Sequence, residues 1–157
     1  MIKKSLLIIA LFLFGCENNT LVRSGNLEQK PLKFDFKTTR DADCGMVVAG
    51  LKFSAQVIAE DGRTWFFHDP GGVAKFLDGK DFAEKSVLWF YTMDSERWLR
   101  SEDVFFSTYD ETPMGYGFAA YEFKQDGLIT YEEMVLKMLR GENMTNPALK
   151  KKHLEQH

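Results

Sequence analysis

The sequence predicts an α+β fold in which two ββαβ-type repeats pack as one compact domain. The order strand, turn, strand, helix occurs twice along the chain, which is the first observation behind this prediction. The second is an Asp-Gly turn at corresponding places in both halves, at Asp61-Gly62 and Asp126-Gly127. Aromatic residues make up 14% of the chain, so a domain of this size can build a core. A chance similarity between the halves is the alternative.

The first half is predicted from its turn and from one apolar run. Residues 51–59 have strand character, and the return strand begins at residues 65–67. The sequence Asp-Pro-Gly-Gly at 69–72 ends that strand and precedes a short helix over 73–77. Residues 87–91, Val-Leu-Trp-Phe-Tyr, have the length and composition of a buried strand.

The second half repeats this order with weaker strands. Residues 117–123 are strand-like, and residues 128–130 return after the turn. That return ends in a threonine followed three residues later by a glutamate, which is the capping-box pattern for a helix over 131–139. The last strand partner of this half is missing downstream, so residues 104–107 are the candidate to supply it from upstream.

The N-terminal residues have the pattern of a secretory signal. Two lysines precede an apolar run that is too short to span a bilayer as a helix. The run ends in Leu13-Phe14-Gly15-Cys16, which looks like a lipobox and predicts removal of residues 1–15 and lipidation of Cys16. Such a protein is periplasmic and lipid-anchored to a membrane, and Glu17 favours the outer membrane. An uncleaved anchor and an ordinary signal peptide are the alternatives.

Composition sets the remaining boundaries. Residues 16–40 are polar with scattered apolar positions, which predicts a lipid-anchored flexible tether. The two-repeat domain is expected over residues 41–142, followed by a disordered tail over residues 143–157. The formal net charge of −3 gives no nucleic-acid signature.

Cys44-Gly45-Met46 is the first candidate for chemistry. The chain has 2 cysteines, so once Cys16 carries lipid Cys44 is the remaining thiol. Thiolate and thioether are the soft protein ligands, and together they select Cu(I). Zinc is disfavoured because a structural zinc site uses four Cys or His ligands. A buried structural cysteine beside a core methionine is the alternative.

Two further residues are candidate ligands. Met114 lies between proline and glycine in a loop, where a methionine fits a ligand better than a periodic packing residue. His68 is a tentative ligand that Asp69 could orient, although Asp69 followed by proline also suits a helix cap. The sequence contains no nucleophile elbow and no phosphate loop, so no catalytic residues are predicted. We therefore expect that the protein is not an enzyme.

These motifs together resemble the NosL family, the accessory lipoproteins of nitrous-oxide reductase. The resemblance rests on the lipobox, on residues 43–46 (Asp-Cys-Gly-Met), on residues 66–69 (Phe-Phe-His-Asp) and on residues 113–121 (Pro-Met-Gly-Tyr-Gly-Phe-Ala-Ala-Tyr). It covers residues 41–139.

The resemblance implies a periplasmic Cu(I)-binding metallochaperone with two ββαβ-type repeats. Cys44, Met46 and Met114 occupy the matching metal positions, and the implied recipient is an apo-cuproprotein, nitrous-oxide reductase, with an ABC-transporter assembly as a further candidate partner. Several members carry a second cysteine where this chain has Asp41, so a mechanism that needs a cysteine pair is not expected here. The alternative function is a metal-free lipoprotein interaction or scaffold module of the same fold.

Overall fold

The computed structural model describes residues 21–156, so the predicted signal peptide, Cys16 and residues 17–20 lie outside the described residues. The strands are Val22–Arg23 (β1), Ala55–Ile58 (β2), Thr64–Phe67 (β3), Val87–Tyr91 (β4), Trp98–Arg100 (β5), Phe105–Phe106 (β6) and Ala120–Tyr121 (β7). The helices are Pro70–Leu77 (α1), Tyr131–Leu139 (α2) and Pro147–Gln156 (α3), and short 3₁₀ turns occupy Ala83–Lys85 and Ser101–Asp103. The predicted α+β class is confirmed, with these elements in one compact domain.

The first predicted repeat is the centre of the fold. Strands β1-β3-β2-β4-β5 form a sheet in that order, and every pairing is antiparallel. The β2–β3 turn contains Gly62, whose φ of 81° is one that glycine adopts without strain. Helix α1 follows β3 and the chain returns as β4, which gives the predicted ββαβ order.

Apolar side chains of alternate strand residues form the core on one face of the sheet. Val57 of β2, Phe67 of β3 and Phe90 of β4 are fully buried there, together with Val73 of α1 and Met134 of α2. Helices α1 and α2 pack against each other over this face. The two helices that the repeat predicts therefore share one core.

The second half keeps the predicted turn and helix but pairs its strands differently. Strand β6 pairs with β7, and its residue Phe106 also bridges to Ile129 on the other side. Residues 104–107 thus supply the upstream partner, as the sequence suggested. Thr130 and Glu133 form the predicted capping box at the start of α2. The two strand segments around Asp126-Gly127 lie on either side of β6, because their apolar residues face the common core.

The prediction that residues 16–40 are a flexible tether is corrected for residues 21–40, which are part of the folded domain. Strand β1 pairs with β3, and Gln56 of β2 exchanges hydrogen bonds of 2.9 Å with the backbone N–H and C=O of Leu32. Phe34 packs on Phe66 of β3, with ring centroids 5.3 Å apart. These residues cover the second face of the sheet. The polar composition misled the prediction, because this segment is held largely through backbone groups.

The prediction of a disordered tail over residues 143–157 is corrected in the same way for residues 143–156. Asn143 is buried, and its side chain accepts a hydrogen bond from the backbone N–H of Thr145 at 3.0 Å. Helix α3 follows, and His153 stacks on Tyr109 with centroids 5.0 Å apart. Within residues 21–156, no helix has the length and apolar character needed to cross a membrane.

Candidate metal centre

A short hairpin over residues 39–48 carries Cys44 at its tip. Arg40 and Val47 form an antiparallel bridge, and the backbone N–H of Asp41 donates to the carbonyl of Met46 at 2.8 Å. The N–H of Gly45 donates to the Asp41 carbonyl at 2.9 Å, and Gly45 has a φ of 77°. Glycine adopts this left-handed conformation at little cost, so it permits the tight turn between the cysteine and the methionine.

The hairpin is attached to the end of β3, where His68 begins the connection to α1. The N–H of Ala42 donates to the Phe66 carbonyl at 2.9 Å, and Asp41 forms a parallel bridge with Phe66. Two residues further along, the N–H of His68 donates to Asp41 Oδ2 at 2.8 Å. Strand β3 therefore brings Cys44 and His68 together although they are distant in sequence.

The Asp41 carboxylate is the organising group of this site. Its Oδ1 accepts from the backbone N–H groups of Asp43 at 2.8 Å and Cys44 at 3.0 Å, and its Oδ2 faces His68 Nδ1 at 2.6 Å. The residue is 1% exposed. Burial alone would raise the pKa of Asp41, but these hydrogen bonds outweigh burial and hold the pKa below its ordinary value. These hydrogen bonds therefore favour the ionised form of the buried Asp41 carboxyl group.

Cys44 completes a group that could hold a metal ion. Its Sγ lies 3.9 Å from His68 Nδ1, and one ligand atom from each of Asp41, Cys44 and His68 lies within 4.8 Å of the others. Burial raises the pKa of the Cys44 thiol, and the nearby Asp41 and Asp43 carboxylates add to this. A metal ion would favour the thiolate, because its positive charge offsets these effects.

Asp69 caps a helix and does not orient His68. It is the N-cap of α1, where its Oδ1 accepts from the Gly71 N–H at 3.0 Å, as the capping alternative predicted. Its Oδ2 accepts from the Met114 N–H at 2.9 Å. Asp41, and not Asp69, makes the hydrogen bond to the His68 ring. Asp41 and His68 are 27 residues apart in the chain, so no local sequence signal indicates their pairing.

The loop that carries Met114 is fixed next to this group at two points. Asp69 holds the Met114 backbone, and Lys75 of α1 donates to both Tyr116 Oη at 3.1 Å and Asp43 Oδ2 at 2.9 Å. Lys75 thereby connects the Met114 loop to the Cys44 hairpin. A Cβ on Gly71 would stand 2.5 Å from the Tyr116 ring, so glycine is what lets the loop approach α1.

The two candidate methionines differ in exposure. Met114 is half-buried and packs against the core, whereas Met46 is 46% exposed. Met134 and Met138 of α2 are core residues, at 0% and 6% exposure. The structure thus places Cys44 and His68 in one group with Asp41, with the Met46 backbone closing the hairpin and the Met114 backbone bonded to the residue after His68.

Removing the Asp69 side chain is expected to destabilise the domain. Asp69→Ala removes the N-cap of α1 and leaves the backbone N–H groups of Gly71 and Met114 without their acceptor. Together these losses should lower the free energy of unfolding by about 2–4 kcal/mol. Equilibrium denaturant unfolding of the apo-protein measures this cost. Asp81→Ala, at an exposed aspartate, is the matched control and should change the free energy of unfolding by less than about 0.5 kcal/mol. Equal effects of the two variants would contradict the structural role of Asp69.

Comparison with protein-family models, curated proteins and solved structures gives no match for this chain. The class of site therefore rests on its geometry, which is a Cys-His-Asp group of an α+β domain that could hold a metal ion.

Proposed function

We propose that this chain binds Cu(I) at Cys44 and acts as a metallochaperone in the periplasm. The observation that carries the proposal is the thiol of Cys44 next to an imidazole that a buried carboxylate holds in place. Thiolate, thioether and imidazole all suit copper, and the softest of these, thiolate and thioether, select its Cu(I) form.

The proposed ligand set is Cys44 and His68 with Met46 and Met114. Cys44 supplies the anionic soft ligand. Met46 is exposed on the same hairpin, and Met114 lies on the loop that Asp69 and Lys75 attach to the site. Zinc is the less favoured metal, because structural zinc takes four Cys or His ligands and this group offers Cys44 and His68.

The arrangement supports metal binding better than thiol catalysis. In a cysteine hydrolase the imidazole contacts the thiol through one ring nitrogen and the carboxylate through the other. Here Asp41 and Cys44 both face Nδ1 of His68. The ring nitrogen nearest the thiol is therefore already bonded to a carboxylate and is not placed as a base, which supports a non-enzymatic function.

Delivery is the second part of the proposal, and it rests on the resemblance to NosL. The proposed recipient is apo-nitrous-oxide reductase, which would receive copper by ligand exchange from a site with exposed Met46 at its edge. The test mixes Cu(I)-loaded protein with apo-reductase and follows copper uptake. Uptake should exceed that from a chelator buffer at the same free Cu(I) concentration. Equal uptake from both sources would contradict a delivery role.

The proposed membrane attachment has its own test at Cys16. Cys16→Ser removes the thiol that would carry lipid, so the protein should leave the membrane fraction or remain unprocessed. A lipid chain contributes about 0.8 kcal/mol per buried CH₂, so loss of the chains removes the anchoring free energy. Fractionation of cells expressing wild type and variant measures the distribution. A variant that is processed normally and stays in the membrane fraction would contradict lipid anchoring.

A further inference from the structure

The Asp41 carboxylate has its hydrogen-bonding capacity filled by the protein. A carboxylate offers about four acceptor positions, two on each oxygen. Oδ1 accepts two backbone N–H groups, from Asp43 and Cys44, and Oδ2 accepts the backbone N–H of His68 and faces its ring nitrogen. To coordinate a metal ion, Asp41 would have to give up at least one of these bonds in a site where it is 1% exposed.

The same contacts fix which nitrogen of His68 can bind a metal. Both Asp41 oxygens already accept backbone N–H groups, which is the environment of a carboxylate acceptor, so we assign the proton of this contact to the ring nitrogen 2.6 Å from Oδ2. A neutral imidazole has one N–H, so the proton on Nδ1 leaves the lone pair on Nε2. The backbone N–H of His68 donates to the same oxygen, so Asp41 Oδ2 holds both the ring and the backbone of His68.

We propose that Asp41 is a positioning residue and not a metal ligand, and that it holds His68 as the Nδ1–H tautomer, which would leave the lone pair of Nε2 as the one through which the ring could bind copper. This inference rests on the proposed function, because it assigns the ligand atom of that site. Metal-binding histidines commonly donate their second N–H to a carboxylate, which orients the ring and raises its basicity. Asp41 occupies that position for His68.

The direct test is the tautomer of His68 in the full chain carrying Cys16→Ser, in which Cys44 is the only thiol. The chain has 3 histidines, and a His68→Gln variant identifies the His68 signals. Long-range ¹H–¹⁵N NMR spectra of the neutral ring should show a protonated Nδ1 in the apo-protein. Added Cu(I) should shift the Nε2 resonance and leave Nδ1 protonated. A protonated Nε2 in the apo-protein, or loss of the Nδ1 proton on Cu(I) binding, would overturn the inference.

Asp41→Asn tests the positioning role by function. Asparagine has one acceptor oxygen in place of two, so it cannot satisfy both the ring and the backbone donors. In the variant, His68 should be a mixture of the Nδ1–H and Nε2–H tautomers. Its Cu(I) affinity should be lower by about tenfold or more, as is typical when a residue that hydrogen-bonds to a metal ligand is changed. Asp43→Asn changes a carboxylate on the same hairpin that bonds Lys75, and it should leave the tautomer unchanged. If Asp41→Asn does not fold, the wild-type spectra still decide the assignment.

The outcomes separate this inference from the proposed function. Cu(I) binding that leaves both His68 nitrogens unshifted would overturn the inference and leave the metallochaperone proposal in place. Absence of Cu(I) binding would overturn the proposed function, and with it the ligand assignment. The apo-protein tautomer would then show only whether Asp41 orients the ring.

Discussion

Replacing Cys44 by serine is expected to weaken Cu(I) binding by more than about a hundredfold. Even mutation of a residue that only hydrogen-bonds to a metal ligand typically lowers metal affinity by about 10–100-fold. Cys44 is the only anionic soft ligand available once Cys16 carries lipid. Serine keeps the size of the side chain but offers a hard oxygen that stays protonated at neutral pH, so it does not replace a thiolate toward Cu(I).

The measurement is competition against a Cu(I) chelator under reducing conditions, in a Cys16→Ser background. Cys44 is half-buried and its thiol is not part of the core, so the apo-variant should keep its thermal stability. Thermal unfolding of the apo-protein is therefore the control for folding. Unchanged Cu(I) affinity in a folded Cys44→Ser protein would remove Cys44 from the site and favour the metal-free scaffold module.

Met114→Leu should have the second-largest effect, with Cu(I) affinity lowered by well over tenfold, which is a loss of more than about 1.4 kcal/mol. Leucine conserves volume and apolarity, so the half-buried packing of Met114 against the core should be kept at a cost below about 1.5 kcal/mol. It cannot replace the sulfur. The backbone hydrogen bond from Met114 to Asp69 does not depend on the side chain, so the loop should stay in place.

Met134→Leu is the matched control, because Met134 is a fully buried core residue on α2. It should leave Cu(I) affinity unchanged while testing how the core tolerates the same exchange. Met46→Leu should behave like Met114→Leu if both thioethers bind copper. If Met114→Leu instead lowers the stability of the apo-protein and leaves affinity unchanged, Met114 is a packing residue and the ligand set contracts to the Cys44 hairpin and His68.

In both halves of the fold, the elements with local sequence signals were predictable. The predicted strand over 87–91 coincides with β4, and the predicted helix over 131–139 coincides with α2, where a capping box fixes the start. Residues 117–123 form only the short strand β7, because their partner β6 is itself only two residues long. Strand β1 was missed because two residues carry no periodicity, and only β3 makes them a strand.

The site was predictable in its ligand types and not in its arrangement. Cys44 and His68 stood out by residue type, and the structure brings them to 3.9 Å. The role of Asp41 was missed, because an aspartate near a cysteine in sequence is common and its bond to His68 spans 27 residues. The parallel bridge between Asp41 and Phe66 creates that contact, and no local pattern encodes it.

Copper stoichiometry tests the central claim most directly. The full chain carrying Cys16→Ser, titrated with Cu(I) under reducing conditions against a chelator of known affinity, should bind one Cu(I) per monomer. The same titration on the Cys44→Ser form in that background should show no tight equivalent, since the anionic soft ligand is gone. A wild-type Cys44 protein that leaves all Cu(I) with the chelator would contradict the copper site and the metallochaperone proposal built on it.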